Sequence, residues 1–184
     1  MLRTLPQTRE SSLPLRLAAI AVFTLLTVVS ARVTILVEPV PITLQVLVVI
    51  LSGLVLGGRD AALSQLAYLV LIALNLPVDA RLLGAAAFVN PTAGYLIGFV
   101  PAAFVTGWLI EKSERRMWQR WLAGIAGIAV IYAFGFVLLK LNTGMAWDAA
   151  WATGVVPFVG IDLGKAIIAA ALAEGGRAVL LRQS

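Results

Sequence analysis

The chain is predicted to fold as an all-α integral membrane protein, a compact bundle of six transmembrane helices with both termini cytoplasmic. Three observations predict it. Of the 184 residues, 61% are hydrophobic and only 12% charged, with a mean hydropathy of +0.98; a soluble domain runs at roughly 45–50% apolar and about 25% charged. The apolar residues gather into six runs near the roughly 20 residues needed to cross a bilayer, which leaves almost nothing for a soluble domain, so 1–184 reads as one membrane-embedded domain. The basic residues also segregate to one side of such a bundle.

The first run, 13–37, follows the polar start MLRTLPQTRESS. That start is too polar, and the run too long, for a cleavable signal peptide. It reads as a retained helix ending near Glu38 and Pro39. The second run, 40–56, is stopped by Gly57 and Gly58, and Arg59 and Asp60 turn the chain into the third, 61–76. Pro77, Asp79 and Arg81 then interrupt the hydrophobicity. The fourth run, 91–110, starts at Asn90-Pro91-Thr92, where Asn is a favoured N-cap and Pro a favoured first helical residue. The basic stretch EKSERRMWQR separates it from the fifth, 121–141, and the polar LNTGMAWD leads to the sixth, 152–174.

Charge orients the bundle. With the N-terminus inside, the inner segments hold Arg3, Arg9, Arg16, Arg59, Lys112, Arg115, Arg116, Arg120, Arg177 and Arg182. The outer side holds only Arg32, Arg81 and Lys140, and Lys165 lies within a span. Cytoplasmic loops carry such an excess of Lys and Arg. The net charge of +5 therefore reports loops at the cytoplasmic face and implies no nucleic-acid partner. The outer 77–90 loop is rather apolar, and its LLGAAAFV stretch is expected to lie back over the bundle as a lid.

Chemistry has few candidates. No cysteine or histidine is present, which removes thiolate and imidazole catalysis and the usual zinc ligands, and no cofactor is implied. Asp162 and Lys165 stand out because charges at bilayer depth are costly and usually functional. Spaced i, i+3, they share one helix face, where one anion and one cation suit a small polar ligand with donors and acceptors. A structural ion pair is the other reading. Gln45 is either a ligand group or a solvated helix-end amide; Tyr68 and Tyr95 are either cavity groups or interface anchors. Asn90 reads as a cap whose helix N-terminus could also help hold an anion.

Two patterns carry less. Gly53/Gly57, Gly94/Gly98 and Gly160/Gly164 have the i, i+4 spacing that lets helices approach closely in lipid; packing within the bundle explains them, and a groove for a partner is the alternative. Gly160-Ile161-Asp162-Leu163-Gly164-Lys165 only superficially echoes a nucleotide-binding loop. It is one residue short, no Ser or Thr follows the lysine, and it lies inside a span. The five tryptophans, Trp108, Trp118, Trp121, Trp147 and Trp151, fall near span ends as an aromatic belt.

VPITLQVLVVILSGLVLG, LSQLAYLVLIALNLPV, NPTAGYLIGFVPAAFVTGWLIE and the intramembrane DLGK stand in this order. Together they resemble the biotin-specific substrate-binding subunit, or S component, of energy-coupling factor transporters (the BioY family). The resemblance implies a six-helix protein of the cytoplasmic membrane that captures biotin from outside in a cavity closed by outer loops. It implies a transmembrane coupling subunit and two ATPase subunits on other chains, with a homo-oligomer as the alternative assembly. By the same likeness Asp162 and Lys165 meet the ureido ring, while Gln45, Tyr68 and Arg81 line the cavity or its lid. Arg81 would take the valerate carboxylate with two hydrogen bonds. Departures exist: DARLLGAAA stands where the family has a Gly-Gly-rich lid, and Asn90 where it commonly has Gly. The first helix pairs Ala18 with Val22 and Ala21 with Leu25, a poor version of the small-residue face that docks the coupling subunit.

Three classes of function therefore compete: a biotin or other vitamin S component, an intramembrane enzyme, and a scaffold with a structural Asp-Lys pair. The enzyme lacks a carboxylate cluster and any acid–base group beyond that pair.

Overall fold

A computed structural model describes residues 12–113 and 116–182, with side chains through residue 176. Arg3, Arg9 and Arg115, and the side chains of Arg177 and Arg182, lie outside the described residues, so the basic count rests on sequence at those positions. The elements are α1 (Leu13–Ser30), β1 (Thr34–Ile35), β2 (Ile42–Thr43), α2 (Gln45–Leu56), α3 (Gly58–Ala73), a 3-10 turn (Gly84–Phe88), α4 (Ala93–Glu111), α5 (Met117–Thr143), α6 (Trp147–Gly154) and α7 (Val156–Arg182). The bundle is all-α with one short hairpin. Among the described residues, four helical segments are long and apolar enough to cross a membrane: α1, α4, α5 and the α6–α7 column to Gly176. Helices α2 and α3, of 12 and 16 residues, complete a six-column bundle in which α4 packs against α2, α3 and α5.

Several boundaries differ from the hydropathy reading. The first helix stops at Ser30, not near Glu38. Thr34 and Ile35 instead pair antiparallel with Thr43 and Ile42. Hydropathy cannot separate an apolar strand from an apolar helix. Here β-branched Val33-Thr34-Ile35 favours the strand, and Pro39 and Pro41 rule out helix through the turn. The second helix accordingly begins at Gln45 rather than residue 40. Helix α4 starts at Ala93, with Thr92 rather than Asn90 as its N-cap residue; Asn90 sits two residues before that cap, its Oδ1 accepting bonds from the Thr92 N–H (3.1 Å) and hydroxyl (2.9 Å).

The last column breaks at Val155, and Pro157 explains the break: it has no N–H to give and its ring crowds the carbonyl four residues back. Phe158 N–H bonds to the Val155 carbonyl at 3.0 Å, a tighter i, i+3 bond. That leaves the Gly154 carbonyl to accept from the Tyr95 hydroxyl at 2.8 Å.

Polar ties supplement apolar packing, as expected where lipid gives helices no hydrophobic reason to associate. Arg16 holds Asp60 with two bonds, 2.7 and 3.0 Å, joining α1 to α3. Buried Gln65 bonds Thr27, Ser52 and Ser64 across α1, α2 and α3. Arg120, in the first turn of α5 rather than in a loop, pairs with Glu174 at 3.0 Å. Gly57 has φ +83°, a conformation that suits glycine, and ends α2 one residue before α3 begins. The glycine pairs divide. Gly53, Gly94 and Gly98 abut neighbouring helices, whereas a Cβ on Gly160 or Gly164 would meet nothing within 4 Å.

Candidate functional site

The hairpin and the 75–90 loop roof one end of the bundle, and a cavity lies beneath them. Two devices hold the loop down. Asp79, 3% exposed, accepts from the Arg81 N–H (3.0 Å) and the Gly84 N–H (2.9 Å), and Arg32 donates to the Asp79 carbonyl. Ala87 is buried against the cavity, while Leu82, Leu83 and Val89 face outward. Only part of LLGAAAFV therefore lies back over the bundle.

Apolar groups form the walls: Leu96 and Phe99 from α4, Ile131 from α5 and Phe158 from α7. Tyr95 also faces this space, its hydroxyl held by the Gly154 carbonyl left free at the break before α7.

At one side of the cavity Lys165 Nζ bonds Asp162 Oδ1 at 2.6 Å and the Thr43 carbonyl at 2.8 Å. Tyr132 donates its hydroxyl to Asp162 Oδ2 at 2.7 Å. Both charged side chains are almost wholly buried, at 4% and 7% exposure for Asp162 and Lys165, so they are paired and hydrogen-bonded as buried charges must be. The arrangement presents an acceptor and a donor side by side, flanked by a hydroxyl. It is suited to a neutral group that carries adjacent N–H donors and a carbonyl.

Arg81 lies on the roof. Its Nη1 and Nη2 hold the Glu38 carboxylate at 2.8 and 3.2 Å, and Nη2 also donates to the Pro39 carbonyl at 3.1 Å. The hydrogen bond from Arg81 holds the Glu38 carboxyl below its usual pKa.

The structure brings Gln45, Arg81, Asp162 and Lys165 to this one cavity. It does not bring the other two candidates there. Tyr68 is fully buried behind Gln45, whose Nε2 donates to its hydroxyl at 2.8 Å, and Tyr68 in turn faces the Val78 carbonyl. Asn90 braces the start of α4 outside the lining. Sequence reasoning missed Tyr132, the Thr43 carbonyl and Glu38. A tyrosine within an apolar helix carries no signal of its own, and pairings 30 and 122 residues apart leave no local pattern.

Residues 6–182 match the model of the BioY family. The chain belongs to the BioY family. Among BioY relatives, the biotin transporter BioY of Thermotoga maritima is 44% identical over 153 residues, covering 83% of this chain and 89% of the relative. The biotin transporter BioY of Rhizobium etli is 41% identical over 152 residues, covering 78% and 79%. The BioY fold is also that of a solved crystal structure, described as the S-component for biotin from an ECF-type ABC transporter. The two superpose with a TM-score of 0.81 at 22% identity, over 98% of this chain and 96% of the other.

Proposed function

We propose that this chain is a biotin-binding S component: one membrane-embedded substrate-binding domain that captures biotin for uptake across the cytoplasmic membrane. The observation that carries the reading is the Lys165–Asp162–Tyr132 cluster on a roofed, apolar-walled cavity, in a chain whose BioY relatives are named biotin transporters. The ureido ring offers two N–H donors to the Asp162 carboxylate and a carbonyl to the Lys165 ammonium. The fused rings and aliphatic chain suit Phe99, Leu96 and Ile131. Arg81, which lines the cavity from the roof, would take the valerate carboxylate, and Gln45, bonded to Tyr68 behind it, would add an amide to the lining.

The chain serves transport by binding and is not an enzyme. Its basic segments favour cytoplasmic termini and an outward-facing roof. Its DLGK stretch lacks the features of a nucleotide loop, so energy from ATP would come from a coupling subunit and two ATPase subunits on other chains; a homo-oligomer is the alternative assembly. One observation favours a scaffold instead: Asp162 and Lys165 bond each other directly, as a structural ion pair would. Equilibrium binding of labelled biotin to the purified, detergent-solubilised chain tests the reading. Saturable binding that excess biotin displaces and other vitamins do not is expected. Displacement by another vitamin would reassign the substrate, and a folded chain that binds none would leave the scaffold.

Tyr132→Phe should weaken biotin about tenfold, the effect of losing one hydrogen bond to a charged group. The melting temperature in detergent should move little. An unchanged affinity would remove Tyr132 from the site.

A further inference from the structure

The geometry points to Glu38 as a tethered stand-in for the ligand's carboxylate: it holds Arg81 and must give way when an acid binds. This rests on the biotin reading above and adds to it a residue that sets both carboxylate selectivity and the opening of the roof.

Arg81 lines the cavity and is itself only 20% exposed. Its outer nitrogens grip Glu38 in a two-point fork, the geometry that suits any carboxylate. Its Nε is buried and has no hydrogen-bond partner. An unsatisfied buried donor is costly, and a carboxylate arriving from the cavity could bond it. Glu38, by contrast, is 79% exposed. It loses little on release, because water replaces Arg81 at once. The two residues also sit on different halves of the roof, Glu38 on the hairpin turn and Arg81 on the 75–90 loop, so their pair straps the halves together. Exchange of one carboxylate for another on Arg81 would loosen that strap as the ligand enters.

The sign follows from charge. In the wild type an entering carboxylate must break the Glu38–Arg81 pair and then sit near the displaced anion. Glu38→Gln removes both penalties. A neutral ligand meets neither.

The test measures association rate and affinity for biotin and for its neutral carboxamide, using the full chain in detergent. Glu38→Gln is expected to bind biotin about two- to fivefold more tightly, the scale of an exposed ion pair, with faster association. The carboxamide should bind wild type and variant alike. In an Arg81→Gln background Glu38→Gln should change nothing, since the shared partner is gone. If Glu38→Gln weakens both ligands equally, the pair is only a strap and the stand-in role is overturned; no change for either ligand overturns it as well. A wild type that fails to bind biotin would strike the reading of function, whereas a binding wild type with an inert Glu38→Gln strikes this inference alone.

Discussion

Asp162→Asn is expected to lower biotin affinity by at least about a hundredfold, and Lys165→Ala by a similar factor. Each removes a charge-assisted contact worth about 1.5–3 kcal/mol, and each also disturbs the partner that remains. Asp162 takes bonds from both Lys165 and Tyr132, so the asparagine loses two strong bonds at once. Lys165 would keep only the Thr43 carbonyl. Breaking a buried pair by removing one member typically costs about 3–5 kcal/mol. The single variants should therefore also melt earlier, by less than that figure where cavity water reaches the survivor. Stability and binding can be separated with Asp162→Asn combined with Lys165→Met, which leaves no uncompensated charge. The double variant should recover most of the lost stability and still fail to bind. Labelled-biotin titration beside thermal unfolding of the same samples reads both quantities. A double variant that regains biotin affinity, or single variants that unfold while the surviving fraction binds normally, would make the pair structural.

Gly94→Val should be the most damaging change to the bundle itself. A side chain there would run into the Phe134 backbone carbonyl of α5 and approach Leu138 Cβ to 2.8 Å. A backbone carbonyl cannot rotate aside as a side chain can, so α4 and α5 would have to separate. Overpacking of this kind costs about 1–3 kcal/mol and sometimes more. Here it strikes the helix that packs against three others, and the upper end or beyond is expected. Gly164→Val is the control. It lies in an identically spaced glycine pair, yet a Cβ there meets nothing within 4 Å, so its effect should stay within about 0.5 kcal/mol. Tryptophan fluorescence during thermal unfolding in detergent compares the two. Equal destabilisation by both would show that close approach of α4 to α5 is not what makes Gly94 necessary, because valine is itself the better helix former.

Those two glycines show where sequence stops being informative. Spacing marked Gly94/Gly98 and Gly160/Gly164 alike. Only the placement of α5 against α4 decided that the first pair is packed and the second open. The same limit appears at the hairpin. Residues 33–37 are as hydrophobic as the helix before them, and hydropathy measures transfer from water rather than backbone conformation. β-branched residues and the two prolines lean toward the strand, and pairing with residues 42 and 43 fixes it.

The sequence by itself determined the class, because apolar composition and run length answer directly to the thickness and dielectric of a bilayer. It determined the central pair for the same reason: Asp162 and Lys165 are conspicuous wherever water is scarce. Tertiary structure alone decided the rest of the site. It set Tyr132 and the Thr43 carbonyl on that pair, placed Tyr68 behind Gln45 and Asn90 outside the lining, and put Glu38 on Arg81. These are contacts between groups from 23 to 122 residues apart. Neither hydropathy nor helical periodicity, which report a residue's own neighbourhood along the chain, can specify which distant partner meets it.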